Sequence, residues 1–173
     1  MQPIFSKTYH GFTDEELKAA RSKYGLRRAD RFTSMAIAAL DKALEERPAQ
    51  DCALITATCF GPHKTVFATL DDILDYPEDQ ILPTKFSHSV HNAAASYISS
   101  ALKIHGPSFA ISGFKDIEKQ AMTLAGTLLG ASMAGNVIVV VIEEAGLMTE
   151  LAHTMLPECF NDKIAEMVKV FLF

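Results

Sequence analysis

The sequence predicts an α/β fold in which a largely parallel sheet carries helices on both faces. Three observations lead there. Short apolar runs, several of them β-branched, alternate with longer segments of helical periodicity. The run Val137-Ile138-Val139-Val140-Val141-Ile142 is continuous rather than alternating, as expected for a strand covered on both sides. The 173 residues are 49% hydrophobic and 21% charged, which suits one domain over 1–173 with a substantial core and excludes a disordered chain.

The elements follow in order. Residues 12–24 read as a short charged helix, opened by Thr13-Asp14-Glu15-Glu16, a capping-box pattern. A second helix spans about 28–46, with Phe32, Met35, Ala36, Ala39, Leu40 and Leu44 on one face, and Arg47-Pro48 ends it. Cys52–Thr58 reads as a strand closing at Gly61-Pro62. A helix over 64–76 is expected to turn Val66, Phe67, Leu70, Ile73 and Leu74 inward. The acids Asp71, Asp72, Asp75, Glu78 and Asp79 crowd its end as a solvated face rather than a metal site. Ile81-Leu82-Pro83-Thr84 reads as a linker.

Residues 87–103 carry no charge before Lys103, which predicts a helix buried on most sides, broken by Gly106-Pro107. Ser108–Ser112 is a short strand and 115–134 a second nearly all-apolar helix feeding the Val137–Ile142 strand. Glu143 to Asn161 is a polar stretch, and Val168–Phe173 a final strand. Helices apolar on all sides need a layer beyond them. This chain is too short to supply one, so a partner surface is expected.

Composition removes several functions. Sixteen Lys and Arg against 21 Asp and Glu leave a net charge of −5, which argues against nucleic-acid binding by bulk charge. Cys52, Cys59 and Cys159 form no C-x-x-C pair and no disulfide framework, pointing to a reducing, cytoplasmic setting. The N-terminus shows no signal-peptide run. The uncharged stretch from Ala121 to Ile142 is long enough to span a bilayer, but Gly126, Gly130, Gly135 and Asn136 interrupt it, so no membrane span is expected. Cys59 and His63 form a possible nucleophile pair, outweighed by a strand-end Cys beside a loop His. His88 and His91, spaced i, i+3, lack a third ligand, so a cap-and-core role is favoured and no metal or other cofactor is expected.

Arg28-Ala29-Asp30-Arg31-Phe32 resembles the helix start near the N-terminus of β-ketoacyl synthases. Ser89-Val90-His91-Asn92-Ala93-Ala94-Ala95, followed by Leu102 and Gly106-Pro107-Ser108, resembles their N-x-A-A…G-P-S passage. The likeness runs from about Arg27 to Phe173 and is nearest to the short group with chain-length-factor-type subunits. It implies half of a thiolase-like fold, the second half supplied by a partner or by dimerisation. Counting from Gly106-Pro107-Ser108, the family's nucleophilic cysteine falls on Lys115, within Ser112-Gly113-Phe114-Lys115-Asp116. Lysine forms no acyl thioester, and a Schiff-base role is disfavoured by the acids beside it. Ser112 has no G-x-S-x-G setting.

The resemblance therefore implies a non-condensing protein of fatty-acid or polyketide metabolism, with Asn92, Ser112, Phe114 and Lys115 as binding positions. It would act in a heterodimer with a condensing enzyme, with an acyl-carrier protein as a further partner. The alternatives are a homodimeric acyl- or small-molecule-binding module and half of a split acyltransferase. Ala125, Gly126 and Gly130 are the positions where a close helix contact is expected.

Overall fold

The computed structural model describes residues 2–45, 47–161 and 163–173. In chain order its elements are β1 (Phe5–Tyr9), α1 (Asp14–Lys23), α2 (Arg31–Leu44), β2 (Cys52–Thr58) and α3 (His63–Asp75). A 3-10 turn at Glu78–Gln80 leads to α4 (Pro83–Ser89), α5 (Ala93–Leu102), β3 (Ser108–Ser112), α6 (Ile117–Gly130), β4 (Asn136–Glu143), α7 (Leu147–Met155) and β5 (Met167–Leu172). The strands form one open sheet in the order β1-β5-β4-β2-β3.

Parallel pairing is confined to β4, β2 and β3, with Cys52 opposite Asn136 and Leu54 opposite Ser108. β5 runs antiparallel to both β4 and β1, placing Leu172 opposite Ile138 on one side and Phe5 on the other. A strand's direction does not follow from its composition, and β1 escapes notice altogether because Ser6, Lys7 and Thr8 are exposed.

Two cores flank the sheet. One packs α1, α2 and α5 through Leu17, Phe32, Met35, Leu40 and Ile98 onto Leu54, Ile138 and Val140. The other packs α6 through Ile117, Ala121, Ala125 and Leu128 onto Ile55, Val139 and Val141. Alternate residues of β2 and β4 thus serve opposite faces, which is why both strands are apolar throughout. α1 opens where expected, with the Thr13 hydroxyl accepting from the Glu16 amide at 3.2 Å. Glu16's own carboxylate pairs with Lys42 instead. Asp30 caps α2 by accepting from the Thr33 amide at 2.9 Å.

Four local expectations are corrected. Phe67, Leu70, Ile73 and Leu74 of α3 do not face inward: they are 37%, 49%, 51% and 82% exposed. Their spacing makes them one helix face, but α3 packs chiefly on α4 and has no sheet behind that face. The 81–84 linker is half helix, since Pro83 occupies the first turn of α4, where its missing N–H costs nothing. The helix expected over 87–103 is divided by Val90-His91-Asn92, and Ser96 and Ser100 of α5 are exposed. α6 is amphipathic, not apolar all round: Lys119, Gln120, Thr123 and Thr127 line its open side, and Gly126 is half-buried. Unpartnered apolar surface lies on α3 and α4, and a further apolar face, Leu147, Leu151 and Met155, is exposed on α7.

The stretch from Glu143 to Asn161 contains α7, and its first two residues are buried. The acids around the end of α3 are solvated as expected, apart from Asp72, which pairs with Lys85 at 2.6 Å. The Ala121–Ile142 stretch divides between α6 and β4, and no helix among the described residues is long and apolar enough to cross a membrane.

Candidate functional site

In open α/β sheets the crevice beyond the carboxyl ends of the parallel strands is where ligands and chemistry gather. Here the ends of β2, β3 and β4 present Thr58, Ser112 and Glu143, and the loops beyond them supply Cys59, Phe60 and the Ser112–Asp116 turn. The Gly113 amide donates to the Thr58 carbonyl at 3.3 Å, so β2's exit and the β3–α6 turn are joined through the backbone. Phe60, Phe114 and Phe160 form an aromatic cluster over this end, with ring centroids 5.3, 5.6 and 6.4 Å apart. Phe114 remains half-exposed.

Beneath the rings lies a buried acid. Glu143, 2% exposed, accepts from the Cys59 amide through Oε1 and from the Thr58 hydroxyl through Oε2 at 3.3 Å. The same Thr58 oxygen accepts from the Gly61 amide at 2.9 Å. Burial outweighs these donors and pushes the Glu143 carboxyl up to about 7. Glu144 next to it is also raised to about 7, chiefly by burial, while accepting from the Lys64 amide at 2.8 Å. His63 Nδ1 lies 3.6 Å from Glu144. Burial holds that imidazole below its usual range, so at neutral pH the contact is not an ion pair.

Of the sequence-selected positions, Ser112, Phe114 and Lys115 fall on this one turn. α6 begins at Ile117 with Asp116 as N-cap in the left-handed region, φ 54°, and with no side-chain capping bond. Lys115 therefore sits one residue before the cap, exposed, its carbonyl accepting from Gln120 Nε2 at 3.0 Å. Asn92 stands apart as the exposed N-cap of α5. Its neighbour His91 lies over Gly61, where any Cβ on the glycine would come within 2.0 Å of the imidazole. His88 and His91 do not converge: His88 is buried and stacked on Tyr97 at 4.5 Å. No cluster of metal-ligating side chains occurs among the described residues.

Residues 21–149 match the family model of the β-ketoacyl synthase N-terminal domain. The chain belongs to that family. A comparison with curated protein sequences finds no match. Among solved structures, the fold resembles that of the ketosynthase ApeO in complex with its chain length factor ApeC from Xenorhabdus doucetiae. The TM-score is 0.71 at 19% identity, over 99% of this chain and 77% of that one. It also resembles the ishigamide ketosynthase/chain length factor, with TM-score 0.76 and 17% identity over 94% of this chain and 47% of that one. A β-ketoacyl synthase from Burkholderia phymatum gives 0.69 at 12% identity, over 94% and 45%. The chain thus spans less than half the length of the latter two, and the thiolase-like ketosynthase fold is present in truncated form.

Within this β-ketoacyl synthase-like half, the Cys59 thiol just past β2 is unsuited to nucleophilic work. Burial raises the Cys59 thiol far above its ordinary range, and the Glu143 carboxylate beside it adds to the rise. We expect iodoacetamide at pH 8 to label Cys59 at least tenfold more slowly than a free cysteine of ordinary pKa. Mapping the modified peptides against time checks this, and rapid labelling of Cys59 would contradict it. The buried Glu143–Glu144 pair escaped the sequence reading, although two acids directly after a β-branched strand were its signal.

Proposed function

We propose that this chain is a non-condensing partner subunit of a ketosynthase in fatty-acid or polyketide biosynthesis. The observation that carries the reading is the Ser112–Asp116 turn, which offers an exposed Lys115 and no thiol at the strand-to-helix junction. The Cys59 thiol is held in its protonated form beside Glu143. Such a site supports positioning rather than acyl transfer.

The partner's footprint is built from two surfaces. Among the described residues β3 pairs only with β2, leaving its other edge open to a neighbouring strand. α3 and α4 expose Leu70, Ile73, Leu74, Leu82 and Phe86, a grouping larger than scattered surface residues produce. Together they suit an obligate interface of roughly 2,000 Å² or more. The similarity to ketosynthase and chain length factor complexes supports a condensing enzyme as the second subunit, with an acyl-carrier protein serving the assembled pair.

Co-expression with a ketosynthase from the same organism, followed by sedimentation equilibrium, tests the proposal. A stable 1:1 heterodimer is expected, weakened at least tenfold by Leu74→Glu with Phe86→Glu. Intact-mass analysis of the isolated chain after acyl-CoA treatment is expected to show no adduct. A thioester adduct abolished by Cys59→Ala would overturn the non-condensing reading. A homodimer that excludes the ketosynthase would favour a binding module.

A further inference from the structure

A second site lies away from the β3–α6 turn and shares no residue with it. The loop before α2, the first turns of α3 and the helix α4 border an open cavity of about 570 Å³. Arg28, Lys64 and Lys85 stand around it, Ala68 and Leu82 form an apolar wall, and His88 closes one side. In a chain of net charge −5, Arg28, Lys64 and Lys85 at one opening exceed the carboxylates of Asp30 and Asp72 by one.

The acids nearby do not fully cancel them. Asp30 also lines the cavity as one carboxylate among the cations, its Oδ1 accepting from the Thr33 amide at 2.9 Å and its Oδ2 from the Thr65 hydroxyl at 3.1 Å, which turns both oxygens toward α2 and α3. Asp72 pairs with Lys85. Arg28 and Lys64 are in no ion pair among the described residues. His88 is only 4% exposed and its Nδ1 is closed off from solvent, so the ring serves as a wall of the cleft rather than as a donor or acceptor for its contents. Its stacking on Tyr97 holds the ring in place.

We propose that this cavity binds a small organic anion, a carboxylate or phosphate carried on a short hydrocarbon body. The Arg28 guanidinium offers a planar fork of donors to the oxyanion, and Lys64 adds a point charge. The hydrocarbon lies on Ala68 and Leu82, with the His88–Tyr97 stack as a fixed wall. The site shares Leu82 with the proposed partner footprint, so its test uses the chain without a partner.

Calorimetric titration of the full chain tests it with hexyl phosphate, hexanoate, hexanol and inorganic phosphate. Saturable 1:1 binding of hexyl phosphate or hexanoate is expected, with hexanol and inorganic phosphate each at least tenfold weaker. Which of the two anions binds more tightly separates a phosphate ligand from a carboxylate one. Arg28→Ala and Lys64→Gln alter exposed side chains and should each reduce affinity about tenfold, with unchanged thermal melts. Equal affinity for hexanol and hexyl phosphate, no binding of either anion, or affinity indifferent to Arg28→Ala and Lys64→Gln would overturn the anion site. Inorganic phosphate binding as tightly as hexyl phosphate would overturn the hydrocarbon subsite.

Discussion

Glu143→Gln is expected to stabilise the protein at pH 8 by about 2 kcal/mol and to leave it nearly unchanged at pH 5. Glu143 has a folded-state carboxyl raised to about 7 from an ordinary value of 4.5, with burial as the main cause. A carboxyl raised on folding binds more protons in the native state than in the unfolded chain between those two values. Stability from this group is therefore fully present below pH 4.5 and is lost as pH rises through 7. Each pKa unit is worth about 1.4 kcal/mol. The hydrogen bonds from Thr58 and the Cys59 amide offset only part of the burial penalty. Glutamine keeps the shape, accepts from the Cys59 amide and donates to Thr58, so it removes the charge without leaving a hole. Urea unfolding of both proteins from pH 5 to pH 8 is the measurement. The parent curve should fall across that range, and the variant should retain a shallower fall owing to Glu144, which is raised for the same reason. A variant equally destabilised at every pH would show that the ionised carboxylate is required where it sits.

Gly106→Ala is expected to cost about 2–3 kcal/mol, through backbone rather than side-chain contact. A Cβ at Gly106 would stand 2.3 Å from the Cys52 carbonyl oxygen and 2.9 Å from its carbon. Neither atom belongs to a flexible side chain that could rotate aside. The segment is pinned on both sides of the contact: the His105 amide donates to the Gln50 carbonyl at 2.8 Å, and the Leu54 amide to the Pro107 carbonyl at 2.9 Å. Relieving the clash means separating the start of β2 from the approach to β3. Gly130 provides the control, since nothing lies within 4 Å of the Cβ it would gain. There, at the end of α6, alanine should be neutral or stabilise by a few tenths of a kcal/mol. Comparable losses at both positions in thermal or urea unfolding would refute the close-approach argument.

The parts of the fold that the residues announced are those where local and global preferences agree. β2 was legible to the residue because Cys52–Thr58 is a single apolar run stopped by Gly61-Pro62, and β3 because Gly106-Pro107 and Gly113 bracket it. α3 shows where such reading fails. Periodicity identifies which side chains share a face, yet Leu70 and Leu74 were assigned to a core that this chain does not place behind them. The antiparallel return of β5 was equally hidden, since Val168–Leu172 would look the same in either direction.

At the site, the turn carrying Ser112, Phe114 and Lys115 was readable from motif spacing. The buried acid under it was not. Glu143 is acceptable inside only because amide and hydroxyl donors from the end of β2, far away in sequence, converge on it. The aromatic trio has the same character, drawing Phe60, Phe114 and Phe160 from three separate loops.

The pairing of β1 with β5 ties Phe5 to Leu172, the longest sequence separation in the sheet. Closing a loop costs roughly 0.6 kcal/mol more for each doubling of its length, and that entropy is lost before the hydrogen bonds of the pair are gained. The parallel unit of β2, β3 and β4 closes shorter loops through α5 and α6 and buries more apolar surface as it does so. β1 is therefore expected to pair late in folding, as a latch over an assembled sheet. Its one buried side chain, Tyr9, should govern how fast the protein opens far more than how fast it forms.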